Sequence, residues 1–392
     1  MRHLSRVRHG IAAALLAFST TGAAAPMYQV LIGSYTSEGE SEGIYRMQFD
    51  AERGYLEPQP LQVMRTHNPS WLALDLNRNR LYAANENGPG HPDPVGRVSA
   101  FTIAAASGRL SALAQQVTLG DEPTHLTMSR DGRYLFVSNY GSRANPGGSL
   151  AVVPLAKDGT LLPVTQIATH KASEKHPERQ QSAHVHSAVM SPDGKTLFVS
   201  DLGADKIFVY RYDPANAERP LSPAEPASID LPDSSGPRHL AFSPDGRQAY
   251  ATLELSAQVA RFDHVDGTLV QRQLVDLAAG GDAGQHSPGA IHPSPDGRFL
   301  YVSDRAERNR ILVYAIEDND NLREIQDRAS EGREPREFAI DPSGRFMLIA
   351  NQKSDALVVL ERDPDTGLLG ETLQTLPMGR PSDVKFIDRS GL

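Results

Sequence analysis

The sequence predicts an all-β protein, a seven-bladed β-propeller whose blades each contain four strands. Three observations lead to this prediction. A hairpin-like unit recurs six times along the 392 residues, further apolar segments follow each copy, and the two ends of the chain supply the strands of one more copy. No segment shows a sustained helical period that would compete with this pattern.

The clearest copy of the unit is GPRHLAFSPDGRQAYATLE at 236–254. Its first alternating apolar run turns at Ser-Pro-Asp-Gly and leads into a second run, which is typical of an antiparallel hairpin. The other copies begin at residues 68, 122, 184, 287 and 334, so successive copies start 47 to 62 residues apart. Third segments such as 207–212 and weaker fourth segments such as 269–277 complete repeats of four strands.

The two ends of the chain predict a seventh blade that is divided between them. The segment 380–388 matches the first strand of the hairpin, 28–36 matches the second, and 43–50 matches the third. Pairing of these segments would close the ring and remove two exposed sheet edges. We therefore expect one domain, residues 26–392, in spite of the length.

Residues 1–25 differ from the rest of the chain. Arg2, Arg6 and Arg8 precede an apolar run at 11–18 and a small-residue end at 23–25. This pattern is typical of a cleaved secretory signal, so we expect an exported protein, periplasmic or secreted, with no stable membrane insertion after cleavage.

Composition excludes several classes of function. The formal charge of −9, without a basic stripe, argues against a nucleic-acid partner. The chain has no cysteine, which excludes disulfides and thiolate chemistry.

Alignment of the repeats predicts that charged side chains converge on one mouth of the central channel. A hairpin brings the start of its first strand beside the end of its second, so Arg238 and Glu254 should be neighbours. Neither these two residues nor Arg305 is required by the repeat, because other copies carry neutral residues at the same positions.

The aligned columns also supply candidate substrate-binding residues: His125, Asn139, His184, Asp201, His239 and Arg336. Several of these residues could have structural roles instead. Asn and Asp bond their own backbone at strand ends, and two of the histidines lie among apolar neighbours. His184 and His186 share a strand face and could bind a metal, but the spacing supplies no third ligand. We therefore expect no metal and no other cofactor.

Several motifs are those of a known family. They include GSYT at 33–36, NPSWLAL at 68–74, PERQ at 177–180, HVHSAVMSPDG at 184–194, GPRHLAFSPDG at 236–246 and PREFAIDPSGRFMLIANQ at 335–352. By these motifs the chain resembles the β-propeller lactonase family, which contains bacterial 6-phosphogluconolactonase and fungal carboxy-cis,cis-muconate cyclase. The resemblance covers essentially all of the chain after residue 25.

The resemblance implies a catalytic set made of one histidine, two arginines and one glutamate, which falls on His186, Arg238, Glu254 and Arg305. The chain departs from the family pattern at Ala290, where members often carry an acid. Export is a second departure, because a sugar-phosphate lactone belongs to cytosolic metabolism. Recognition of a phosphate would need extra cations, for which Lys171, Lys175 and Arg179 of the 170–184 insertion are candidates.

Three hypotheses for function follow. In the first, a metal-independent lactone hydrolase, Glu254 activates water, the arginines hold the carbonyl oxygen or an anionic substituent, and His186 passes a proton to the leaving alkoxide. The second is a cycloisomerase that makes or opens a lactone of an unsaturated diacid with the same groups. The third is a non-catalytic periplasmic propeller that binds a ligand or a protein at its rim. The presence of all four residues of the implied catalytic set favours an enzyme with a small-molecule lactone substrate. We expect the protein to be a monomer or a weak homo-oligomer.

Overall fold

The computed structural model describes residues 27–37, 39–141, 148–277 and 285–387. Within these ranges the chain forms 29 strands and one short 3-10 helix, Gln352–Ser354. No helix in the described ranges is long and apolar enough to cross a membrane. The predicted signal segment, residues 1–25, lies outside the described residues.

The strands follow the predicted repeats. The N-terminal strands are β1 (Met27–Ser34), β2 (Gly43–Asp50), β3 (Tyr55–Leu56) and β4 (Gln62–Arg65). Blade 1 contains β5 (Pro69–Asp75), β6 (Arg80–Asn85), β7 (Arg97–Ile103) and β8 (Leu110–Val117). Blade 2 contains β9 (Pro123–Met128), β10 (Tyr134–Asn139), β11 (Ser149–Pro154) and β12 (Gln166–Thr169). Blade 3 contains β13 (Val185–Met190), β14 (Thr196–Asp201), β15 (Lys206–Tyr212) and β16 (Leu221–Asp230).

The second half of the ring repeats the same order. Blade 4 contains β17 (Pro237–Phe242), β18 (Gln248–Leu253), β19 (Gln258–Val265) and β20 (Thr268–Asp276). Blade 5 contains β21 (Pro288–Pro293), β22 (Phe299–Asp304), β23 (Arg310–Ile316) and β24 (Leu322–Ala329). Blade 6 contains β25 (Pro335–Ile340), β26 (Phe346–Asn351), β27 (Ala356–Arg362) and β28 (Leu369–Pro377). The last strand is β29 (Pro381–Ile387).

Blades 1 to 6 are four-stranded antiparallel sheets with the strands in chain order, and blade 7 is divided between the two ends. In blade 7, β29 pairs with β1, β1 pairs with β2, and β2 pairs with both β3 and β4. The first strand of each blade contacts the first strands of its two neighbours, so these strands form a closed inner ring. The prediction of a seven-bladed propeller closed by terminal strands is confirmed.

The hydrophobic core lies between the blades. In the described part of the chain, seven clusters of buried apolar side chains each join two adjacent blades. The cluster that joins blades 6 and 7 includes Phe49, which packs edge-on against Phe346 and Phe386 with centroids 5.7 and 5.5 Å away. Because each blade buries both faces against its neighbours, removal of one blade would expose two apolar faces.

A recurring glutamine joins neighbouring blades at their outer strands. In each case the side-chain amide donates to a leucine carbonyl of the next blade and accepts from the N–H of the same leucine. Among the described residues the pairs are Gln62–Leu110, Gln166–Leu221, Gln273–Leu322, Gln326–Leu369 and Gln374–Leu56. These contacts satisfy backbone groups near the ends of outer strands.

Loss of one of these glutamines should destabilise the ring. Gln273→Ala leaves both backbone groups of Leu322 without the amide partner, and we expect the free energy of unfolding to fall by about 1–3 kcal/mol. Gln271→Ala, at an exposed position of the same strand, is the matched control and should change it by less than about 0.5 kcal/mol. Equal effects of the two substitutions in urea unfolding would contradict this role.

An irregularity in each inner strand directs side chains into the channel mouth. The pairing between the first two strands of every blade shifts register near the start of the hairpin's first strand. In blade 4 the shift lies between Pro237 and Leu240, so Arg238 and His239 have no regular partner on β18. Such bulges re-aim side chains, and here they leave Arg238 and His186 at the mouth.

Candidate active site

Glu254 lies at the centre of a cluster of guanidinium groups at the mouth of the channel. Its Oε2 is 3.1 Å from Nε of Arg238 and 2.8 Å from Nη2 of Arg305, and its Oε1 accepts a hydrogen bond of 2.8 Å from Nη2 of Arg179. The predicted contact between Arg238 and Glu254 is therefore confirmed. The predicted gathering of Arg305 at the same mouth is confirmed as well.

The repeat explains why these residues meet. Arg238 is near the start of β17, whereas Glu254 and Arg305 directly follow the second strands β18 and β22. Gly289 on the neighbouring inner strand leaves room for Arg305, because a Cβ at this position would lie 2.9 Å from its Nε. Arg305 is fixed further by Ser287, whose carbonyl and hydroxyl oxygens accept hydrogen bonds of 3.1 and 2.9 Å.

Arg179 reaches the cluster from the 170–184 insertion between blades 2 and 3. The sequence indicated it only as a cation for a phosphate. The structure places its Nη2 between Glu254 and the hydroxyl of Tyr140, which is 3.0 Å away. No repeat position predicts this contact, because the insertion has no counterpart in the other blades.

The charges around Glu254 determine its protonation. Burial opposes ionisation, but Arg305, Arg238 and Arg179 outweigh it and hold the pKa of Glu254 well below its ordinary range. Burial and the neighbouring Arg305 lower the pKa of Arg238 to about 9, so this guanidinium is still charged at neutral pH. The site thus contains a buried carboxylate neutralised by buried cations.

His186 belongs to the same mouth. Its ring lies edge-on to Tyr140 and to His239, with centroids 5.6 and 5.2 Å away. Burial and the charge of Arg238 lower the pKa of His186 well below its ordinary value, so its imidazole is neutral at pH 7. Its Nδ1 is buried and has no hydrogen-bond partner.

Arg336 forms a second ion pair at this mouth. Its Nη2 is 3.4 Å from Oε2 of Glu86, which also accepts a hydrogen bond of 2.6 Å from the Tyr35 hydroxyl. The guanidinium carbon of Arg336 lies 5.0 Å from the centroid of the Tyr35 ring. Glu86 and Tyr35 occupy the position after the second strand, as Glu254 does, and the sequence did not assign them to the site.

A second layer of polar and aromatic side chains lies deeper in the channel. His125 packs 4.4 Å from Trp71, and His239 packs 5.1 Å from the same ring. Nη1 of Arg238 is 3.3 Å from Nε2 of His239, whose Nδ1 is 3.8 Å from Glu337. His125 and His239 therefore pack beneath the residues of the mouth, and His239 also contacts Arg238 of the cluster.

These buried histidines should make the protein sensitive to acid. Burial lowers the pKa of His125 to about 3, and it lowers the pKa values of His186 and His239 well below the ordinary value. Such a histidine stays neutral in the folded protein but binds a proton in the unfolded chain below about pH 6.5. The free energy of unfolding therefore keeps its full value above that pH and declines as the pH falls below it. Each such histidine lowers the free energy of unfolding by up to about 1.4 kcal/mol for each unit by which the pH falls.

We expect the free energy of unfolding, measured with urea, to be clearly lower at pH 5 than at pH 7.5. His125→Phe should reduce this slope, because the variant has one fewer group to protonate. The raised pKa of the buried Asp383 acts in the opposite direction and moderates the effect. Equal stability at the two pH values would contradict the assignment of neutral buried imidazoles.

Three further predicted residues have contacts outside the cluster. His184 stacks on Tyr140 at 4.6 Å and its Nδ1 is 3.0 Å from the carbonyl oxygen of that residue. Asn139 is fully buried and donates to the Ser149 hydroxyl at 3.2 Å. Asp201 is also fully buried and accepts from the His184 N–H and the Gly203 N–H at 2.8 and 3.0 Å. Asn139 and Asp201 thus make the structural contacts that the sequence left open as an alternative.

Ala290, the position that departs from the family pattern, is fully buried in the core between blades 5 and 6. The described residues contain no group of three or more His, Asp or Glu side chains arranged to hold a metal ion. His184 and His186 instead both contact the ring of Tyr140.

Taken together, the ring of seven blades and the convergent charged residues define a propeller with a polar site at one channel mouth. Residues 29–386 match the family described as "Lactonase, 7-bladed beta-propeller". The chain belongs to this family.

The similarity to named relatives extends over nearly the whole chain. The 6-phosphogluconolactonase of Bacillus subtilis is 31% identical over 91% of this chain and 97% of its own length. The protein of the same name from Formosa agariphila is 32% identical over 92% of this chain and 100% of its own length. The solved structure of a periplasmic gluconolactonase from Pseudomonas aeruginosa is 49% identical, covers 93% of this chain and 99% of that one, and has a TM-score of 0.89.

Proposed function

We propose that the protein is a hydrolase that opens sugar-type lactones, such as gluconolactone, at the mouth that contains Glu254. The observation that carries the proposal is a buried carboxylate fixed between Arg238 and Arg305, with the neutral His186 beside it. The names of the relatives support a lactone as the substrate, and the higher identity to a periplasmic gluconolactonase supports an unphosphorylated one.

The geometry supports a simple sequence of steps. Glu254 accepts a proton from the water that attacks the lactone carbonyl carbon. Arg238 and Arg305 donate hydrogen bonds to the oxyanion of the tetrahedral intermediate. The C–O bond of the ring then breaks, and the alkoxide takes up the proton that the water released.

We assign the transfer of this proton to His186. A neutral imidazole can accept at Nδ1 and donate at Nε2, and Nδ1 of His186 is unpartnered. The product is a hydroxy acid, so the only reactant besides the lactone is water. His239 and Arg336 remain candidate substrate-binding residues at the wall of the same mouth.

The assay uses the chain without residues 1–25 and follows acid release from glucono-1,5-lactone and from its 6-phosphate, each corrected for spontaneous hydrolysis. We expect turnover that EDTA does not change, because every proposed role belongs to a side chain. Incorporation of one ¹⁸O from labelled water into the product would distinguish hydrolysis from cyclisation. No turnover with either lactone would favour the binding-only hypothesis instead.

We also propose that residues 1–25 are a signal and that 26–392 is the exported domain. The similarity to a periplasmic gluconolactonase from Pseudomonas aeruginosa supports export to the periplasm. The N-terminal sequence of the protein recovered from a bacterial periplasmic fraction tests this proposal. A start after Ala25 or close to it is expected, whereas the intact chain in the cytoplasmic fraction would contradict it.

A further inference from the structure

Arg179 differs from the other two arginines that contact Glu254. Its side chain is 41% exposed, whereas those of Arg238 and Arg305 are 2% and 7% exposed. Its contacts with Glu254 and Tyr140 both use one nitrogen, Nη2. A guanidinium held at one nitrogen and open to solvent can exchange partners at little cost.

The other two arginines are held on several sides. Arg305 donates to the carbonyl and the hydroxyl of Ser287 and also lies 3.3 Å from Glu334. Arg238 is wedged between Glu254 and His239. Neither can leave the carboxylate without breaking buried contacts.

The backbone next to Arg179 is firmly anchored, so motion would be confined to the side chain. Gln180 is fully buried and donates to the Leu202 carbonyl and to Asp205 at 2.8 and 2.6 Å. Its Oε1 accepts from the His176 N–H at 2.9 Å. Arg179 therefore projects from a fixed point beside the mouth.

We propose that Arg179 is a movable positioning residue that shields Oε1 of Glu254 in the free enzyme and turns to an oxygen substituent of the lactone when the substrate binds. This inference rests on the proposed function, since it assigns Arg179 to the same site. A guanidinium suits hydroxyl, carboxylate and phosphate oxygens alike. Its departure uncovers the oxygen atom that must accept the proton from water.

The charges that face Glu254 make the consequence measurable. Arg238 faces it from blade 4, Arg305 from blade 5, Arg179 from the insertion, and His186 from blade 3. Arg336 of blade 6 lies near enough to sense its charge. Removal of one opposite charge at contact distance raises a carboxyl pKa by about 1–3 units. Glu254 without Arg179 should therefore be the stronger base.

The test compares Arg179→Gln with the unmodified mature protein, using glucono-1,5-lactone as the probe. We expect KM to rise about tenfold through loss of the hydrogen bond to substrate. We expect kcat at pH 7 to fall by less than about twofold, and the acid limb of kcat/KM to move to higher pH by about 1–3 units. Arg179→Lys, which keeps the charge, should restore most of the wild-type acid limb.

Two variants serve as controls. Gln181→Ala changes an exposed residue of the same insertion, and Arg247→Ala removes an exposed arginine at the opposite edge of the ring. Neither should move the acid limb. A carboxyl ¹³C titration of Glu254 in labelled protein reads the same shift without turnover.

The outcomes separate the two proposals. A wild-type protein without lactonase activity overturns the proposed function, whereas the ¹³C titration still reports whether Arg179 controls Glu254. An active wild type with an unchanged acid limb and an unchanged titration in Arg179→Gln overturns this inference alone. A large loss of kcat without a pH shift would likewise contradict it, because Arg179 would then act in the transition state.

Discussion

Replacement of Glu254 by glutamine should reduce kcat/KM for the lactone by about 10²–10⁴-fold, since general-base catalysis contributes on this scale. Glutamine has nearly the same size and can still accept hydrogen bonds from Arg238 and Arg305, but its amide cannot take the proton from water. The loss should appear mainly in kcat. Initial rates of acid release, corrected for spontaneous hydrolysis, measure it.

Two comparisons make this prediction specific. Glu371→Gln changes an exposed carboxylate on the outer strand of blade 6 and should leave turnover unchanged. Glu254→Asp keeps the charge but shortens the reach, so it should retain more activity than the glutamine variant. Circular dichroism of Glu254→Gln should show an intact β-fold. Unchanged turnover in this folded variant would remove Glu254 from the mechanism.

Replacement of Arg238 by lysine should have the second-largest effect. The guanidinium of Arg238 is almost fully buried between Glu254 and His239, and we propose that it donates to the oxyanion. Lysine keeps the charge but loses the planar fork, and loss of one oxyanion donor costs about 10²–10³-fold in kcat. Steady-state kinetics should show this loss with little change in KM.

The matched control is a second buried arginine outside the site. Arg362 donates to the Tyr301 hydroxyl and to the carbonyl of Gly344, which lies in the turn between β25 and β26, at the edge of blade 6 opposite the channel mouth. Arg362→Lys should lower stability while leaving kcat unchanged. Equal loss of kcat in both variants would indicate a general effect of buried arginine on folding rather than a role for Arg238.

Much of the fold could be predicted because the repeat carries the information several times. Each Ser-Pro-Asp-Gly turn stabilises itself locally, as Ser243 and Asp245 show by a 2.7 Å hydrogen bond within the turn. The divided blade was also predictable, since residues 380–388 lack a partner strand unless they pair with the N-terminal segment. In the structure, Val384 of β29 lies opposite Ile32 of β1.

Part of the site could be predicted from the same repeat. Hairpin geometry predicts the contact between Arg238 and Glu254, because strand ends sixteen positions apart in sequence must meet at one edge. The repeat also brings Arg305 and His186 to that edge. It does not predict side-chain pairing across the channel, which is why the ion pair between Arg336 and Glu86 was not foreseen.

The contact of Arg179 could not be derived from the sequence. The 170–184 insertion has no register to align, so its side chains cannot be assigned to a position in the ring. The structural roles of Asn139 and Asp201 were only one of two alternatives, because strand-end amides and carboxylates can bond either backbone or substrate. Their full burial, which the sequence does not report, places them with their own blades.

The most direct test of the lactone site at Glu254 is a crystal structure of the mature Glu254→Gln protein soaked with glucono-1,5-lactone. We expect an intact lactone at the channel mouth, with its carbonyl oxygen within hydrogen-bond distance of Arg238 and Arg305 and its ring oxygen near His186. A lactone bound elsewhere on the ring, with this mouth empty, would contradict it.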